Sequence, residues 1–320
     1  MNILLTGASG FIGGHLLRDL AAAGHKVIAC TRAPLGQREE THVSWIPADF
    51  TTDTDKDIWR PRLEGIDCVI NAAGIIAETP GHSFAAIHRE GPMALFQAAV
   101  AEGISRVVQI SSLGADPGAG IPYFQSKGAG DAYLQSLDAD WVILRPSLVF
   151  GPGGGSAALF AALASLPVVP LIDGGGQKLQ PIFVEDLARV VMQAVAGPGY
   201  ARRLLDLVGP DEIPFREMLA HYRNWLGLGP LRPVCLPGGL ASGVARLGGV
   251  MGLAAVTPDT LAMLRQGNTA PVAPLIEACG FTPRSLADVL AAHPASAADR
   301  RRARRYFAKA LCRKFKRGGR

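Results

Sequence analysis

Tyr123 and Lys127 stand four residues apart in a stretch with helical character. Positions i and i+4 share one face of a helix. An ammonium beside a phenol favours the phenolate, which draws tyrosine from its ordinary pKa of about 10 toward working pH. Such a tyrosine exchanges a proton with a carbonyl or alcohol oxygen. Ser111 and Ser112 close a neighbouring strand-like run, where a hydroxyl could hold that same oxygen. The pair could also serve nucleotide binding alone, without turnover. The seven histidines show no paired metal-ligand spacing, and Gly7-Ala8-Ser9-Gly10 lacks the G-x-S-x-G spacing of a serine nucleophile, so neither a metal site nor a hydrolase is expected.

The strongest motif is Thr6-Gly7-Ala8-Ser9-Gly10-Phe11-Ile12-Gly13, where a strand ends, glycines recur every third residue and a helix opens. Glycine there permits a tight turn, close approach of backbone to a pyrophosphate and close helix–strand packing, while the helix N-terminus offers free N–H groups. The motif therefore predicts dinucleotide binding by Gly7, Ser9, Gly10, Phe11, Ile12 and Gly13. An acid at the end of the second strand would bind a ribose 2′-hydroxyl, and an arginine a 2′-phosphate. That strand reads Val27-Ile28-Ala29-Cys30-Thr31-Arg32, with no acid until Glu39. NADP(H) is expected over NAD(H), with Arg32 as phosphate clamp; a solvated surface arginine is the competing reading. Asp49, after the third strand, could accept from the adenine amino group or act as a turn residue.

These groups need a scaffold, and the sequence describes one. Strand-like runs at 3–5, 26–31, 43–47, 67–71, 106–111 and 141–145 alternate with helical patterns at 11–23, 84–102 and 123–137. Such alternation predicts an α/β fold, a Rossmann-like doubly wound parallel sheet covered on both faces. After Gly151-Pro152-Gly153-Gly154-Gly155 the pattern becomes short helices punctuated by Pro and Gly, the composition of a mainly helical cap and not of a sheet. We expect a dinucleotide-binding domain over 1–150 and 181–208, a cap over 151–180 and 209–296, and a basic tail over 297–320. Ligand should lie at the carboxyl ends of the strands. The Gly- and Leu-rich segment 236–253 favours an apolar substrate.

Composition excludes other classes. Of 320 residues, 48% are hydrophobic and 18% charged, so the chain can bury a core. Five scattered cysteines without a C-x-x-C pair argue against a disulfide scaffold or a thiolate zinc site. The net charge of +5 is local, since residues 299–320 hold eleven of the 32 basic residues and a single acid, Asp299. The body is mildly acidic, which argues against a nucleic-acid-binding globule. A glycine motif follows Met1 to Leu5 directly, leaving no room for a signal peptide, and the weakly polar stretch 233–256 is broken by Arg246, so no membrane span is expected. In the tail, Phe307, Leu311 and Phe315 align on one stripe with Ala303 behind them, flanked by Arg304, Arg305, Arg313 and Lys314. A cationic helix with apolar anchors suits an anionic membrane surface; a solvated tail and an RNA-contacting arm are the alternatives. The arginine excess hints at a GC-rich bacterial source.

From the glycine motif through Asn71-Ala72-Ala73-Gly74, Tyr123-Phe124-Gln125-Ser126-Lys127, Arg145-Pro146-Ser147 and Val184-Glu185-Asp186, the chain resembles the short-chain dehydrogenase/reductase superfamily in its extended or atypical branch. Within it, Ile110-Ser111-Ser112-Leu113-Gly114-Ala115-Asp116, Leu144 to Pro152 and Gln180-Pro181-Ile182-Phe183-Val184 are similar to the NADPH-binding accessory subunit of respiratory complex I and its bacterial relatives. The resemblance implies Ser112, Tyr123 and Lys127 as catalytic residues. It further implies that Lys127 grips the nicotinamide ribose, and that Ala72, Ala73, Gly74, Ser111, Tyr123 and Pro146 line the cofactor site. His88 departs from the pattern, standing where many relatives carry asparagine, and Gly128 and Gly130 weaken the helix that carries the pair, at about 1 kcal/mol each. Two functions follow as expectations, with a sugar-nucleotide epimerase third behind them because the cap lacks an evident cluster of diphosphate-binding basic residues. The first is an NADP(H)-dependent oxidoreductase of a hydrophobic carbonyl or alcohol, quinone- or isoprenoid-related, cytoplasmic or peripheral on the inner membrane. The second is a non-catalytic NADPH-binding accessory or assembly protein of a respiratory membrane complex.

Overall fold

Apolar runs rich in Ile, Leu and Val cannot alternate inside and outside, so they form strands buried on both faces. In the computed structural model, which describes residues 1–33, 41–236 and 257–317 (308–317 as helical backbone), these runs become one parallel sheet. Its members and their helices are β1 (Asn2–Thr6), α1 (Phe11–Ala22), β2 (Lys26–Thr31), β3 (Val43–Pro47), α2 (Lys56–Trp59), β4 (Cys68–Asn71), α3 (Gly91–Ala101), β5 (Arg106–Ile110), α4 (Pro122–Ser136) and β6 (Asp140–Pro146). A two-stranded parallel pair, β7 (Val149–Phe150) with β10 (Ile182–Phe183), lies outside it, as do α5 (Gly155–Ala164), β8 (Val169–Ile172) and β9 (Lys178–Leu179). The chain then returns through α6 (Val184–Ala196) to β11 (Arg203–Leu207), and β12 (Ile213–Pro214), α7 (Phe215–Trp225) and β13 (Pro233–Leu236) follow.

The sheet order is β11-β6-β5-β4-β1-β2-β3. The chain runs outward from β1 to β3, then restarts at β4 on the other side of β1. Open sheets of this kind bind ligands where the order reverses. Here Thr6 at the end of β1 stands opposite Asn71 at the end of β4. Two helix layers cover the sheet. Leu4, Val69, Val107 and Ile143 share a buried cluster with Trp59, Leu95, Phe96 and Leu134 of α2, α3 and α4, while α1 packs with α6.

Chain contacts divide the molecule into Met1–Pro146, Val184–Leu207 and Val272–Phe281 as one unit, and Ser147–Phe183, Val208–Pro271 and Thr282–Arg320 as the other. Two expectations are corrected here. Residues 272–281, assigned to the cap from sequence, belong to the sheet unit: the Gln193 side chain donates to the Cys279 carbonyl (3.1 Å), and the Tyr200 hydroxyl to that of Ala278 (3.2 Å). The tail is not a separate region either, since the helix Ala297–Arg317 buries Ala303 and packs against α5. The second unit also contains short ladders: β9 with β12 and β8 with β13 lie in the cap that was expected to be mainly helical, while β7 with β10 brings 149–150 and 181–183, expected in the dinucleotide-binding domain, into this unit. Glu39, the 236–253 segment beyond residue 236 and the side chains of Leu311, Arg313, Lys314 and Phe315 lie outside the described residues. Among the described residues, no helix is long and apolar enough to cross a membrane.

Candidate active site

At the end of β1, Gly7 takes the left-handed conformation with φ +68°, and a Cβ there would lie 2.6 Å from the carbonyl carbon of Ala72. A Cβ on Gly13 would lie 2.0 Å from the Gly7 oxygen. Both glycines are therefore required by close backbone packing. Gly10 ends the loop: its amide donates to the Gly7 carbonyl (2.9 Å), and it caps α1 without a side-chain hydrogen bond. The first turn of α1 carries no acid, so the N–H groups and the dipole of this twelve-residue helix stay available to an anion. Ser9 and Gly10 are exposed, and Phe11 and Ile12 half-buried.

A buried polar chain fixes the strand ends beneath this loop. Thr6 Oγ1 donates to Asn71 Oδ1 (2.5 Å), which also accepts the Ala73 amide (3.2 Å), and Asn71 Nδ2 donates to Gln109 Oε1 (2.7 Å). Ala72 and Ala73 thus turn against Gly7, with Gly74 exposed beside them. Arg32, just beyond β2, is exposed, and its guanidinium meets His82 Nε2. Asp49 serves the turn after β3, where its Oδ1 accepts from the amide and the hydroxyl of Thr51, both at 2.9 Å.

The second cluster gathers around α4, which begins at Pro122 in the first helical position. Tyr123 and Lys127 project from one face toward the ends of β4 and β5. The Lys127 ammonium, nearly inaccessible to solvent, donates to the Ile110 carbonyl (3.1 Å), and a Cβ on Gly74 would lie 3.2 Å from it. Burial pulls the lysine down to about 8, against the opposing pull of Asp131. Burial raises the Tyr123 phenol, and the nearby Ser112 hydroxyl, which donates to the Leu113 carbonyl (3.4 Å), opposes that rise. This corrects the expectation that Lys127 draws the phenol down: the lysine is aimed at Ile110 and Gly74, and the groups acting on the phenol are Ser112, which lowers it, and Asp131, which raises it.

Three further features escaped the sequence reading. Ser111, expected to line the cofactor pocket, donates its hydroxyl to Asp131 Oδ2 (2.7 Å), an oxygen that also accepts Arg145 Nε (2.9 Å). His88 sits on a π-helical stretch, Ala85–Glu90, where the expected single helix begins. Such stretches recur at functional sites. Its Nε2 accepts the Ile75 amide (3.1 Å), so Nδ1 carries the proton and donates to Ser126 Oγ (2.9 Å). Burial and the Lys127 charge hold it down to about 2, neutral throughout the working range, while its ring lies edge-on to Tyr123. The last feature is a correction. Gly128 and Gly130 do more than loosen α4: a Cβ on Gly130 would lie 2.4 Å from the His88 oxygen, and one on Gly128 2.3 Å from the Asp116 carbonyl carbon. The missing side chain of Gly130 lets α4 lie against the π-helical stretch, and that of Gly128 lets it lie against the loop at Asp116. Pro146 is buried, and its carbonyl accepts the Leu113 amide (2.8 Å), which fixes the turn after Ser112.

A sequence model described as the NAD dependent epimerase/dehydratase family matches residues 3–199, which include both clusters. The chain belongs to that family. It is an NAD(P)-dependent enzyme of the extended short-chain dehydrogenase/reductase type. Proteins it resembles include the ceramide reductase of Caulobacter vibrioides, 29% identical over 241 residues that span 73% of each chain. The mouse mitochondrial NADH dehydrogenase [ubiquinone] 1 alpha subcomplex subunit 9 is 27% identical over 233 residues, 69% of this chain and 59% of that protein. Among solved structures, a nucleoside-diphosphate-sugar epimerase of Staphylococcus aureus superposes over 91% of this chain and 99% of its own with a TM-score of 0.73 at 18% identity. MoeE5 in complex with UDP-glucuronic acid and NAD gives 0.68 at 22%, over 91% of this chain and 97% of its own. These likenesses show the family's fold. The glycine cradle, filled by any added Cβ, and the uncapped N-terminus of α1 fit the dinucleotide that the family implies.

Proposed function

We propose that this protein is an NADP(H)-dependent oxidoreductase of a hydrophobic carbonyl or alcohol. The observation that carries the reading is the convergence of Ser112, Tyr123 and Lys127 beside the glycine cradle at the sheet's reversal point. The dinucleotide, when bound, supplies or accepts the hydride. Gly7, Gly10 and Gly13 with the N-terminus of α1 would hold its pyrophosphate, and the Lys127 ammonium its nicotinamide ribose. Ser112 orients the substrate oxygen, and the Tyr123 phenol holds the proton exchanged with it. Arg32 supports the choice of NADP(H), because a guanidinium directly follows β2 where an NAD-binding site would carry an acid. An apolar substrate, quinone- or isoprenoid-related or a sphingolipid-like ketone, agrees with the likeness to a ceramide reductase. A Tyr123→Phe variant tests the reading on NADPH oxidation with a panel of such carbonyls. The expected loss is at least about 100-fold in turnover with dinucleotide affinity retained; unchanged turnover would overturn it. Titration with both dinucleotides tests Arg32, and equal affinities would remove its phosphate role.

The raised Tyr123 phenol favours a second reading, a non-catalytic NADPH-binding accessory or assembly protein. Stoichiometric NADPH that co-purifies and is never oxidised would select it. Under either reading we propose that the C-terminal helix meets an anionic membrane face. Arg301, Arg302, Arg304 and Arg305 are exposed around the buried Ala303. Co-sedimentation with phosphatidylglycerol vesicles should fall steeply when these four become Gln; equal pelleting would reject the contact.

A further inference from the structure

Asp131 lies one helical turn beyond Lys127, on the same face of α4. It is wholly shielded from solvent. One carboxylate oxygen is fully engaged by the Ser111 hydroxyl from the end of β5 and by Arg145 Nε from β6. The other, Oδ1, is buried and has no hydrogen-bond partner among the described residues. An ionised carboxylate with half its acceptors unmet is costly in an interior. A buried ammonium is equally costly, and that of Lys127 has the Ile110 carbonyl as its hydrogen-bond acceptor. Burial raises the Asp131 carboxyl, and Ser111, Arg145 and then the Lys127 charge oppose that rise, while the Asp131 charge in turn opposes the downward pull of burial on the lysine.

We infer that Asp131 is a positioning residue for Lys127: its buried carboxylate, oriented by Ser111 and Arg145, is the countercharge that keeps the ammonium aimed past Gly74 at the nicotinamide ribose. The inference rests on the ribose-holding role proposed for Lys127 above. The other groups facing the pair are few. Tyr123 shares the helix, His88 faces it from the π-helical stretch as a neutral ring, and Arg145 faces Asp131 from β6. Asp206 on β11 feels Arg145 in turn. None of these replaces Asp131 as an acidic neighbour of Lys127.

The Asp131→Asn variant keeps an oxygen for Ser111 and Arg145 and removes the charge. Two readouts on the full-length protein separate positioning from mere support. The first is the titration of 13Cε-labelled Lys127 by NMR, assigned with Lys127→Arg. Its midpoint, near 8 in the parent chain, should fall by about one unit or more, a tenfold change in the protonation constant. The second is NADPH affinity against pH. Parent and variant should bind alike near pH 6, where Lys127 is charged in both, and diverge about fivefold at pH 8 and nearly tenfold by pH 9. An unmoved lysine midpoint, or a loss of affinity equal at every pH, would overturn the inference. A shifted midpoint with unchanged NADPH binding would leave the Asp131–Lys127 coupling standing and overturn the ribose role instead. Should Asp131→Asn fold poorly, Ser111→Ala, which removes one orienting hydroxyl, should move the midpoint in the same direction by a smaller amount; no movement would again overturn it.

Discussion

The glycine loop and the α4 cluster sit side by side in one unit, yet they are specified by different physics. Around Gly7 and Gly13 the chain is fixed by shape, since backbone atoms occupy the volume where side chains would be. Around Lys127, Asp131 and His88 it is fixed by buried charge and hydrogen bonds, each group tuned by its neighbours. The first region is indifferent to pH and intolerant of a single methyl. The second is sensitive to charge, and to size only where Gly128 and Gly130 bring α4 against neighbouring backbone.

Four substitutions or conditions would break or sharpen that contrast. The largest effect is expected for Gly13→Ala, whose methyl would overlap the Gly7 carbonyl at 2.0 Å. Dinucleotide affinity should fall more than about 100-fold and stability by about 3 kcal/mol, the scale of severe overpacking, as read by fluorescence titration and chemical denaturation. Retained binding would show that the loop can shift, and the shape argument would fail. Gly128→Ala should destabilise by about 2 kcal/mol despite the better helix propensity of alanine, because its methyl would meet the Asp116 backbone. A stabilised variant would reverse that assignment.

On the charge side, Arg32→Ala should reduce the preference for NADPH over NADH by about tenfold, the worth of one exposed charge-assisted phosphate contact, with NADH affinity unmoved. The smallest effect belongs to His88. Its folded pKa lies below the unfolded value of 6.5, so the unfolded chain binds the extra proton and stability falls as pH drops below 6.5. At pH 5.5 the loss should be about 1.2 kcal/mol relative to pH 7. His88→Asn should remove that acid-side slope; an identical slope in both proteins would mean the ring is already charged in the fold.

The two regions also differ in how plainly the sequence announces them. The glycine loop is local, with strand, turn and helix adjacent in the chain, and its spacing alone carries the geometry. Tyr123 and Lys127 are equally local at one helical turn. The countercharge is not: Asp131 is legible as a helix-face neighbour, but its partners Ser111 and Arg145 arrive from two other strands through sheet pairing. His88 was visible as a departure from the usual asparagine, whereas the π-helical stretch that turns it toward Ile75 leaves no periodic mark. Gly128 and Gly130 read as weaknesses in a helix until the neighbouring backbone supplied their reason. Away from the sheet, ladders of two residues such as Lys178–Leu179 with Ile213–Pro214 are shorter than any alternation that could reveal them.

The return of Val272–Phe281 to the sheet unit bears on how the protein is made. The nucleotide cradle is synthesised first, but the hydroxyl of Tyr200 and the amide of Gln193 must wait for carbonyls some eighty residues downstream. A ribosome adding about 5–20 residues per second holds the nascent sheet incomplete for several seconds. During that interval the contact between residues 273–279 and β11 is also unmade.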